Sequence, residues 1–369
     1  MIAFIVDAWP DTRVEKEVQS LTSHGFKVTI LTWDREKVFD DFESSGNKTI
    51  RRLRLRSPYN SLLIPSYYPL FWLWILSKLL RIHPTVIHAD NLDSVVPALF
   101  YRLLRPRTKV IFDVSDSYAM LIRPRSKILS NGILCLELLA ASMSDAFTTV
   151  SSNQLALFEA AKLKMVRIVM NTPLPMRGLT SYVQNKKQMK FRIVYAGVIS
   201  EDRGLLQLCE ATKDIDDLEL IVAGRINSEK IIVNINQFSH IQYVGQLSHE
   251  EALKLQASAD LIPVLYDPKM PINRIAMPNK IFEAMMLGVP IITNVTHLAE
   301  MVKDFQCGIA VDYNNIEAIK QAILYIKRHP EIRSQMGLNG KRAFELKFSW
   351  SYMEERLLNL YDQLLSSSN

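Results

Sequence analysis

Residues 276–293, AMPNKIFEAMMLGVPIIT, decide the fold of the second half of this chain. The stretch predicts a tight turn, a short helix, a glycine that ends the helix, and a buried strand. Pro278 suits the first helical turn because its missing N–H needs no partner there. Gly288 suits the helix end, since glycine readily adopts the left-handed conformation found at that position. The sequence therefore predicts a helix leading into a strand of an α/β fold.

This helix carries three polar side chains, Asn279, Lys280 and Glu283, of which positions 279 and 283 are one turn apart. A carboxylate in apolar surroundings is costly unless a partner hydrogen-bonds to it. The helix N-terminus offers unpaired N–H groups and the positive end of its dipole, which favour a phosphate. Hydrogen-bond donors for a phosphate, with a carboxylate one helical turn further along, would suit a sugar nucleotide as the ligand. A short helix whose polar end faces water fits the same pattern equally well.

Alternating strand-like and helix-like runs fill both halves of the chain, which predicts parallel sheets covered on both faces. A polar, turn-rich stretch at residues 171–190 interrupts the alternation and predicts a linker. We expect two doubly wound, Rossmann-like α/β domains that face a central cleft, with ligands at the carboxyl ends of the strands. The predicted domains are residues 1–170, joined by a C-terminal helix at about 351–369 that packs back on them, and residues 191–350.

Composition indicates a folded chain of two domains, because the sequence has 369 residues, 48% hydrophobic and 22% charged. Its three cysteines have no metal-binding spacing, which favours a reducing cytosol over a disulfide framework or a zinc site. The N-terminus lacks the basic region of a signal peptide and is predicted to be a buried strand. We therefore expect a cytoplasmic protein.

Aromatic and basic residues in the first half raise the question of a membrane. Residues 61–80 have an apolar core that is far shorter than the roughly 20 residues a membrane span needs. They predict a buried or amphipathic helix, or an aromatic patch at the membrane boundary. Three basic clusters favour peripheral contact with an anionic membrane or a phosphorylated acceptor over nucleic acid, for which no binding motif appears. A solvated basic face explains them equally well. The clusters are Arg51 to Arg56, Arg102 to Lys109, and Arg123 to Lys127.

Further candidate residues of the second domain follow predicted strands. Residues 197–204, GVISEDRG, follow the first strand and contain Arg203, whose guanidinium can bind a pyrophosphate through several donors. Gly224 with Arg225, and Gly245, end the next two strands, where the backbone can approach a base closely. GxGxxG, GxxxxGK[ST], HExxH and GxSxG are absent, which counts against dinucleotide oxidoreductases, P-loop NTPases, zincins and α/β-hydrolases.

Taken in order, several motifs resemble those of GT-B fold retaining glycosyltransferases of the family 4 type. The motifs are Asp11-Thr12-Arg13-Val14 with Glu17, His88-Ala89-Asp90-Asn91-Leu92-Asp93, Phe112-Asp113-Val114-Ser115-Asp116, Asn171-Thr172-Pro173, and Pro278-Asn279-Lys280-Ile281-Phe282-Glu283 with Gly288-Val289-Pro290. The last set resembles the PNKxFEYMxxGxP signature and is the most specific of them. The resemblance covers nearly the whole chain.

The resemblance implies a sugar transfer from a nucleotide-diphosphate sugar, which is a substrate, with no cofactor and no metal. Glu283 would bind the ribose hydroxyls, and Arg203 would neutralise the diphosphate leaving group. The catalytic candidates are therefore Arg203 and Glu283. The candidate residues for donor binding are Gly197, Arg203, Arg225, Gly245, Pro278, Asn279, Lys280 and Glu283. The family pattern also implies retention of the anomeric configuration.

Four residues are the candidates for the acceptor side: Arg13, His88, Asp113 and Asp116. Roles for them as capping and turn residues of the first domain explain the same positions about as well. The chain departs from the family pattern where Ser115, Val198 and Ile275 replace expected histidine, arginine and glutamate.

Three hypotheses remain at this point. The first is a glycosyltransferase acting on a glycan or lipid-linked acceptor in the synthesis of a surface polysaccharide or glycolipid, with a UDP- or GDP-linked donor. The second is a glycosyltransferase-like binding or scaffold subunit without turnover, which the substitutions at positions 115, 198 and 275 favour. The third is a sugar-nucleotide epimerase of related fold. The sequence does not determine the donor sugar, the linkage formed or the oligomeric state.

Overall fold

A computed structural model describes residues 1–58, 64–175, 190–235 and 237–366, without the side chain of Asn234. The chain divides into two compact units, Met1–Met170 with Met353–Asn369, and Asn171–Tyr352. Most of the predicted linker at 171–190 lies outside the described residues, as does the beginning of the apolar segment at 61–80.

The first unit is built on one sheet with strand order β3-β4-β2-β1-β5-β6-β7-β8 in the described part of the chain. All neighbouring strands are parallel except β3 and β4, which are antiparallel. The strands are β1 (Ile2–Val6), β2 (Val28–Asp34), β3 (Phe42–Ser45), β4 (Lys48–Arg54), β5 (Val86–Asp90), β6 (Lys109–Val114), β7 (Ala146–Thr149) and β8 (Met165–Ile168). Its central strands are fully buried because helices cover both faces.

The helices that cover this sheet begin after its strands. They are α1 (Thr12–Ser23), α2 (Tyr68–Ile82), α3 (Asn91–Leu104), α4 (Tyr118–Ile122), α5 (Lys127–Met143) and α6 (Ser152–Ala156). Asp11 caps α1, since its carboxylate accepts hydrogen bonds from the N–H groups of Arg13 and Val14, both 2.9 Å. This cap fixes the start of α1 and with it the position of Arg13.

The second unit contains two three-stranded parallel sheets, β11-β10-β9 and β12-β13-β14, in the described part. Their strands are β9 (Phe191–Ala196), β10 (Leu218–Ala223), β11 (Ile241–Tyr243), β12 (Ile262–Val264), β13 (Ile291–Thr293) and β14 (Gly308–Ala310). A bridge between Ile193 and Leu261 joins β9 to the chain just before β12. The combined order, with β9 and β12 at the centre, is that of a doubly wound sheet.

Helices of the second unit follow its strands in the same alternation. They are α7 (Leu205–Thr212), α8 (Glu229–Ile235), α9 (His249–Ala257), α10 (Pro271–Ile275), α11 (Asn279–Leu287), α12 (Thr296–Asp304), α13 (Ile316–Arg328) and α14 (Pro330–Ala343). The predicted opening helix is α11, and Gly288 ends it in the left-handed conformation at φ 67°. An added Cβ at Gly337 of α14 would overlap the Gly288 carbonyl oxygen, so both glycines permit a close backbone approach.

The last helix, α15 (Trp350–Ser366), completes the core of the first unit. Leu357, Leu360, Tyr361 and Leu364 pack in one apolar cluster with residues of β1, α1 and β2. The expected return of the C-terminal helix to the first domain is confirmed.

One edge of the first sheet is β3, which pairs antiparallel with β4. The two strands form a hairpin that turns at Gly46, where φ is 57°. Apolar periodicity in the sequence does not predict β3, because this polar strand is exposed and neither of its faces is buried.

Candidate functional site

Glycines end three neighbouring strands of the second unit. The Gly197 N–H donates to the Ala223 carbonyl at 2.9 Å, and the Gly224 N–H donates to the Gly245 carbonyl at 2.8 Å. All three glycines have positive φ, and an added Cβ at Gly224 would overlap the Gly197 carbonyl oxygen. At the strand ends after β9, β10 and β11, the backbone segments therefore pack closely against one another.

Helix α11 points its N-terminus toward this edge. Pro278 occupies the N-cap position without a side-chain cap, and the first turn has no acidic residue. The N–H groups of this turn and the helix dipole consequently remain suited to an anion. The side chain of Lys280, on α11, reaches the end of β9. Its Nζ lies 3.1 Å from the position that a Cβ on Gly197 would take.

The ammonium of Lys280 lies over the ring of Tyr195, with Nζ 4.3 Å from the ring centroid. The pKa of Lys280 is lowered to about 8, mainly by burial and also by the nearby positive charge of Arg203, while Glu283 opposes the shift. Among the described residues, no ion pair joins Lys280 to a carboxylate. A cation held without a carboxylate partner is suited to an anionic ligand.

Arg203 supplies the second cation. Its guanidinium lies 4.5 Å from the centroid of the Tyr266 ring, and its Nε is 3.5 Å from Asp202 Oδ2. The Asn273 amide donates to the same Asp202 oxygen at 3.0 Å, which fixes the loop that carries Arg203. We call Gly197, Arg203, Lys280 and the N-terminus of α11 the cation cradle.

Glu283 lies one turn deeper in α11 and is 7% exposed. Its Oε2 accepts a hydrogen bond from Gln256 Nε2 at 2.9 Å, and its Oε1 lies 3.9 Å from His249 Nδ1. Both partners belong to α9, whose start is fixed by a capping box of Ser248 and Glu251. The buried carboxylate is thus held in place with one oxygen facing a half-exposed histidine.

The structure brings most of the predicted donor residues together. Asn279 begins α11, and Gly245 ends β11, with nothing within 4 Å of a Cβ added there. Arg225 follows β10 but is exposed, and among the described residues its side chain forms no hydrogen bond or ion pair with the cation cradle. Sequence reasoning missed Gln256, His249 and Asn273, which reach this region only through the packing of α9 and α10. The roles of the whole set in donor binding and catalysis stay predictions.

Three of the four candidate acceptor residues meet in the first unit, in what we call the ion-pair cluster. Its members are Arg13, Glu17, His88, Asp90 and Asp113. Arg13 donates to Asp113 at 2.7 Å and lies 3.3 Å from Glu17, while His88 Nε2 is 3.3 Å from Asp113. Burial would raise the pKa of Asp113, but Arg13 and His88 hold it below its usual range.

The ion-pair cluster is closed to solvent. Arg13 is 3% exposed, and Glu17, His88 and Asp113 are 1% exposed. The Tyr361 hydroxyl of α15 and His88 Nδ1 lie 2.8 Å apart and form a hydrogen bond. Direct contact with an acceptor would require these residues to be uncovered, so their acceptor role stays a prediction.

Asp116 lies apart from the ion-pair cluster, in the exposed loop after β6, where its N–H donates to Asn91 at 3.3 Å.

Glu17, His88 and Asp113 also place ligand atoms within 4.8 Å of one another. Arg13 pairs with two of these residues, Glu17 and Asp113, and so compensates part of their negative charge. We interpret the group as an ion-pair network. The sequence signal that could have found Glu17 is its position four residues after Arg13 on α1, which places both side chains on one face of the helix.

Comparison with known proteins finds a family similar to the second half of the chain. Residues 179–343 match the model of the family described as Glycosyl transferases group 1. The matched residues lie in the second unit, which is therefore similar to this family. The cation cradle and Glu283 both lie inside the matched residues, whereas the ion-pair cluster lies outside them.

Two curated relatives support the same family. An uncharacterized glycosyltransferase of Methanocaldococcus jannaschii is 29% identical over 46% of this chain and 48% of its own length. The capsular polysaccharide biosynthesis glycosyltransferase CapM of Staphylococcus aureus is 27% identical over 48% of this chain and 47% of its own. The chain thus spans about half the length of the curated relatives it matches.

Solved structures extend the likeness of fold to the whole chain. Sucrose-phosphate synthase from Thermosynechococcus elongatus has a TM-score of 0.81 at 17% identity, covering 99% of both chains. This match confirms the predicted α/β fold class, that of GT-B glycosyltransferases, with two doubly wound units. Within the described ranges, no helix has both the length and the apolar character needed to cross a membrane.

Proposed function

We propose that the protein is a glycosyltransferase that moves a sugar from a nucleotide-diphosphate sugar to a glycan or lipid-linked acceptor. The observation that carries this proposal is the pair of cations, Arg203 and Lys280, beside an uncapped helix N-terminus and the β9 end. Two phosphates need several donors and positive charges at one place, which this arrangement supplies. The match of residues 179–343 to Glycosyl transferases group 1 and the glycosyltransferase relatives support the reaction class.

Each part of the donor has a matching group. The diphosphate would bind the first-turn N–H groups of α11 together with Lys280 and Arg203. Glu283 would accept hydrogen bonds from the ribose hydroxyls, since one of its oxygens is not hydrogen-bonded to Gln256. The base would lie against the bare backbone at Gly224 and Gly245, with a UDP- or GDP-linked sugar as the donor.

Negative charge develops on the diphosphate when the sugar leaves, and the cation cradle would stabilise it without a metal ion. No acidic triad of the kind that binds divalent metals occurs at the cation cradle in the described part of the chain. We propose a metal-independent, retaining transfer of the family 4 type, in which a donor phosphate oxygen helps to remove the acceptor proton. Synthesis of a surface polysaccharide or glycolipid fits the capsular relative.

The first test is nucleotide binding by the full chain. UDP, GDP, ADP and their sugar conjugates are screened for thermal stabilisation, and a ligand at 100 times its Kd adds about 2.7 kcal/mol of stability. Hydrolysis of the stabilising sugar nucleotide is then measured in wild type and Glu283→Gln with EDTA present. We expect hydrolysis in the wild type and its loss in the variant. If none of the nucleotides stabilises the chain, the proposal of glycosyltransferase activity is excluded.

A further inference from the structure

The first unit contains a cavity of about 660 Å³ between α2, α3, α4 and α5, which is open to solvent on one side. Its walls are apolar, and the lining positions of α3 repeat every three or four residues, so one face of that helix borders the cavity. The lining residues of α3 are Leu92, Asp93, Val96, Leu99, Phe100 and Leu103. The volume lies within the roughly 300–1,000 Å³ typical of ligand sites.

One end of the cavity is polar and lies at the carboxyl ends of the strands. Asp7 follows β1, Arg35 follows β2, Asp93 lies in the first turn of α3 after β5, and Tyr118 begins α4 after β6. Ligands of doubly wound folds bind at this edge. The cavity therefore connects the ligand edge of the first sheet to the space between its covering helices.

Asp93 is a buried carboxyl group at the polar end of the cavity. Its Oδ1 accepts a hydrogen bond from the Tyr118 hydroxyl at 2.8 Å, whereas its Oδ2 has no hydrogen-bond partner among the described residues. The side chain is nine-tenths buried, and burial raises its pKa to about 8, with Asp7 adding to the shift. At neutral pH this carboxyl holds a proton that it can donate to a ligand oxygen.

Two arginines line the cavity. Arg35 donates to Asp7 at 2.8 Å at the polar end, and Arg125 lines the cavity beside α4. Large apolar side chains at its border remain exposed, with Phe100 at 54%, Leu103 at 67% and Leu136 at 56%. A contiguous apolar surface next to basic residues is typical of contact with an anionic lipid surface.

We propose that this cavity binds the hydrocarbon chain of a lipid-linked acceptor, whose anionic headgroup lies at the polar end beside Arg35 and Asp93. The inference rests on the proposed function and names the acceptor class. The apolar walls match a long chain, while the arginines and the neutral carboxyl match a phosphate. The exposed border lets the chain enter from a membrane. A second copy of this protein on the same apolar face is the competing occupant.

The experiment titrates the full chain with hexyl, octyl and decyl phosphate below their micelle concentrations, by calorimetry. We expect Kd to fall about fourfold for each added methylene until the cavity is filled. Val96→Trp fills the cavity, and Leu139→Trp blocks its border if the first variant does not fold. Each should weaken decyl phosphate binding at least tenfold. Leu104→Trp, on an exposed residue of α3 outside the lining, is the matched control and should bind normally.

Two outcomes overturn the inference while the proposed function stands. One is binding that does not depend on chain length or that survives Val96→Trp, with nucleotide stabilisation unchanged. The other is concentration-dependent dimerisation in sedimentation that Val96→Trp abolishes, which assigns the face to a second copy. If nucleotides fail to stabilise the chain although decyl phosphate binds, the proposed function falls, and the cavity is a lipid site but not an acceptor site.

Discussion

The cation cradle and the ion-pair cluster both gather charges at the carboxyl ends of parallel strands, yet they are built in opposite ways. In the ion-pair cluster one arginine meets three carboxylates, and solvent is excluded. In the cation cradle two cations lie together, and Lys280 has no ion pair to a carboxylate among the described residues. The comparison teaches that two cations lying together and partly open to solvent indicate a binding site, whereas an arginine paired with carboxylates away from solvent stabilises the fold.

Arg13→Met is the strongest way to break this comparison. Removing the guanidinium leaves buried Glu17, Asp90 and Asp113 without their cation, which costs about 3–5 kcal/mol of unfolding free energy. Urea denaturation measures the change. Arg102→Met is the control, because its half-buried pair with Asp145 is worth at most about 1 kcal/mol. Equal losses in both variants would contradict a stabilising role for the ion-pair cluster.

Arg203→Gln tests the other half of the comparison. The variant should bind the stabilising nucleoside diphosphate more weakly by about 2 kcal/mol, or roughly thirtyfold, because a charge-assisted contact to phosphate is lost. Its unfolding free energy should change little, since the side chain is half exposed. Calorimetric titration with the nucleoside diphosphate and with the nucleoside provides the measurement. The nucleoside should bind both proteins equally, and a loss of its affinity would argue against a phosphate contact.

Sequence reasoning predicted the regular parts of both regions. The alternation of strands and helices, the proline and glycine that bound α11, and the glycines at the strand ends are local signals. Partners brought by distant helices leave no such signal. Tyr361 lies 273 residues from His88, and Gln256 lies 27 residues before Glu283 on another helix. The cavity beside α3 was invisible for the same reason, because its volume depends on how four helices are spaced.

Asp93→Asn tests how the buried carboxyl at the polar end of the cavity differs from the paired carboxylates of the ion-pair cluster. Because the pKa of Asp93 is raised to about 8, the unfolded chain loses this proton at lower pH than the folded chain. Wild-type stability should therefore fall relative to the variant as pH rises from about 4 to 8, by at most about 1.4 kcal/mol per unit. Denaturant midpoints of both proteins at pH 5 and 8 measure this change. If the wild type loses no more stability than the variant between these pH values, the raised pKa is contradicted.

The smallest expected effect concerns Lys280. Its pKa is lowered to about 8, so the free protein loses this charge between pH 7 and 9, while a bound diphosphate favours the protonated form. Affinity for the nucleoside diphosphate should fall by up to about tenfold across that range, since binding must then take up a proton. Lys280→Gln should bind more weakly at pH 7 and show a flatter profile. An equally steep decline in the variant would assign the titration to another group and leave Arg203 as the main phosphate ligand.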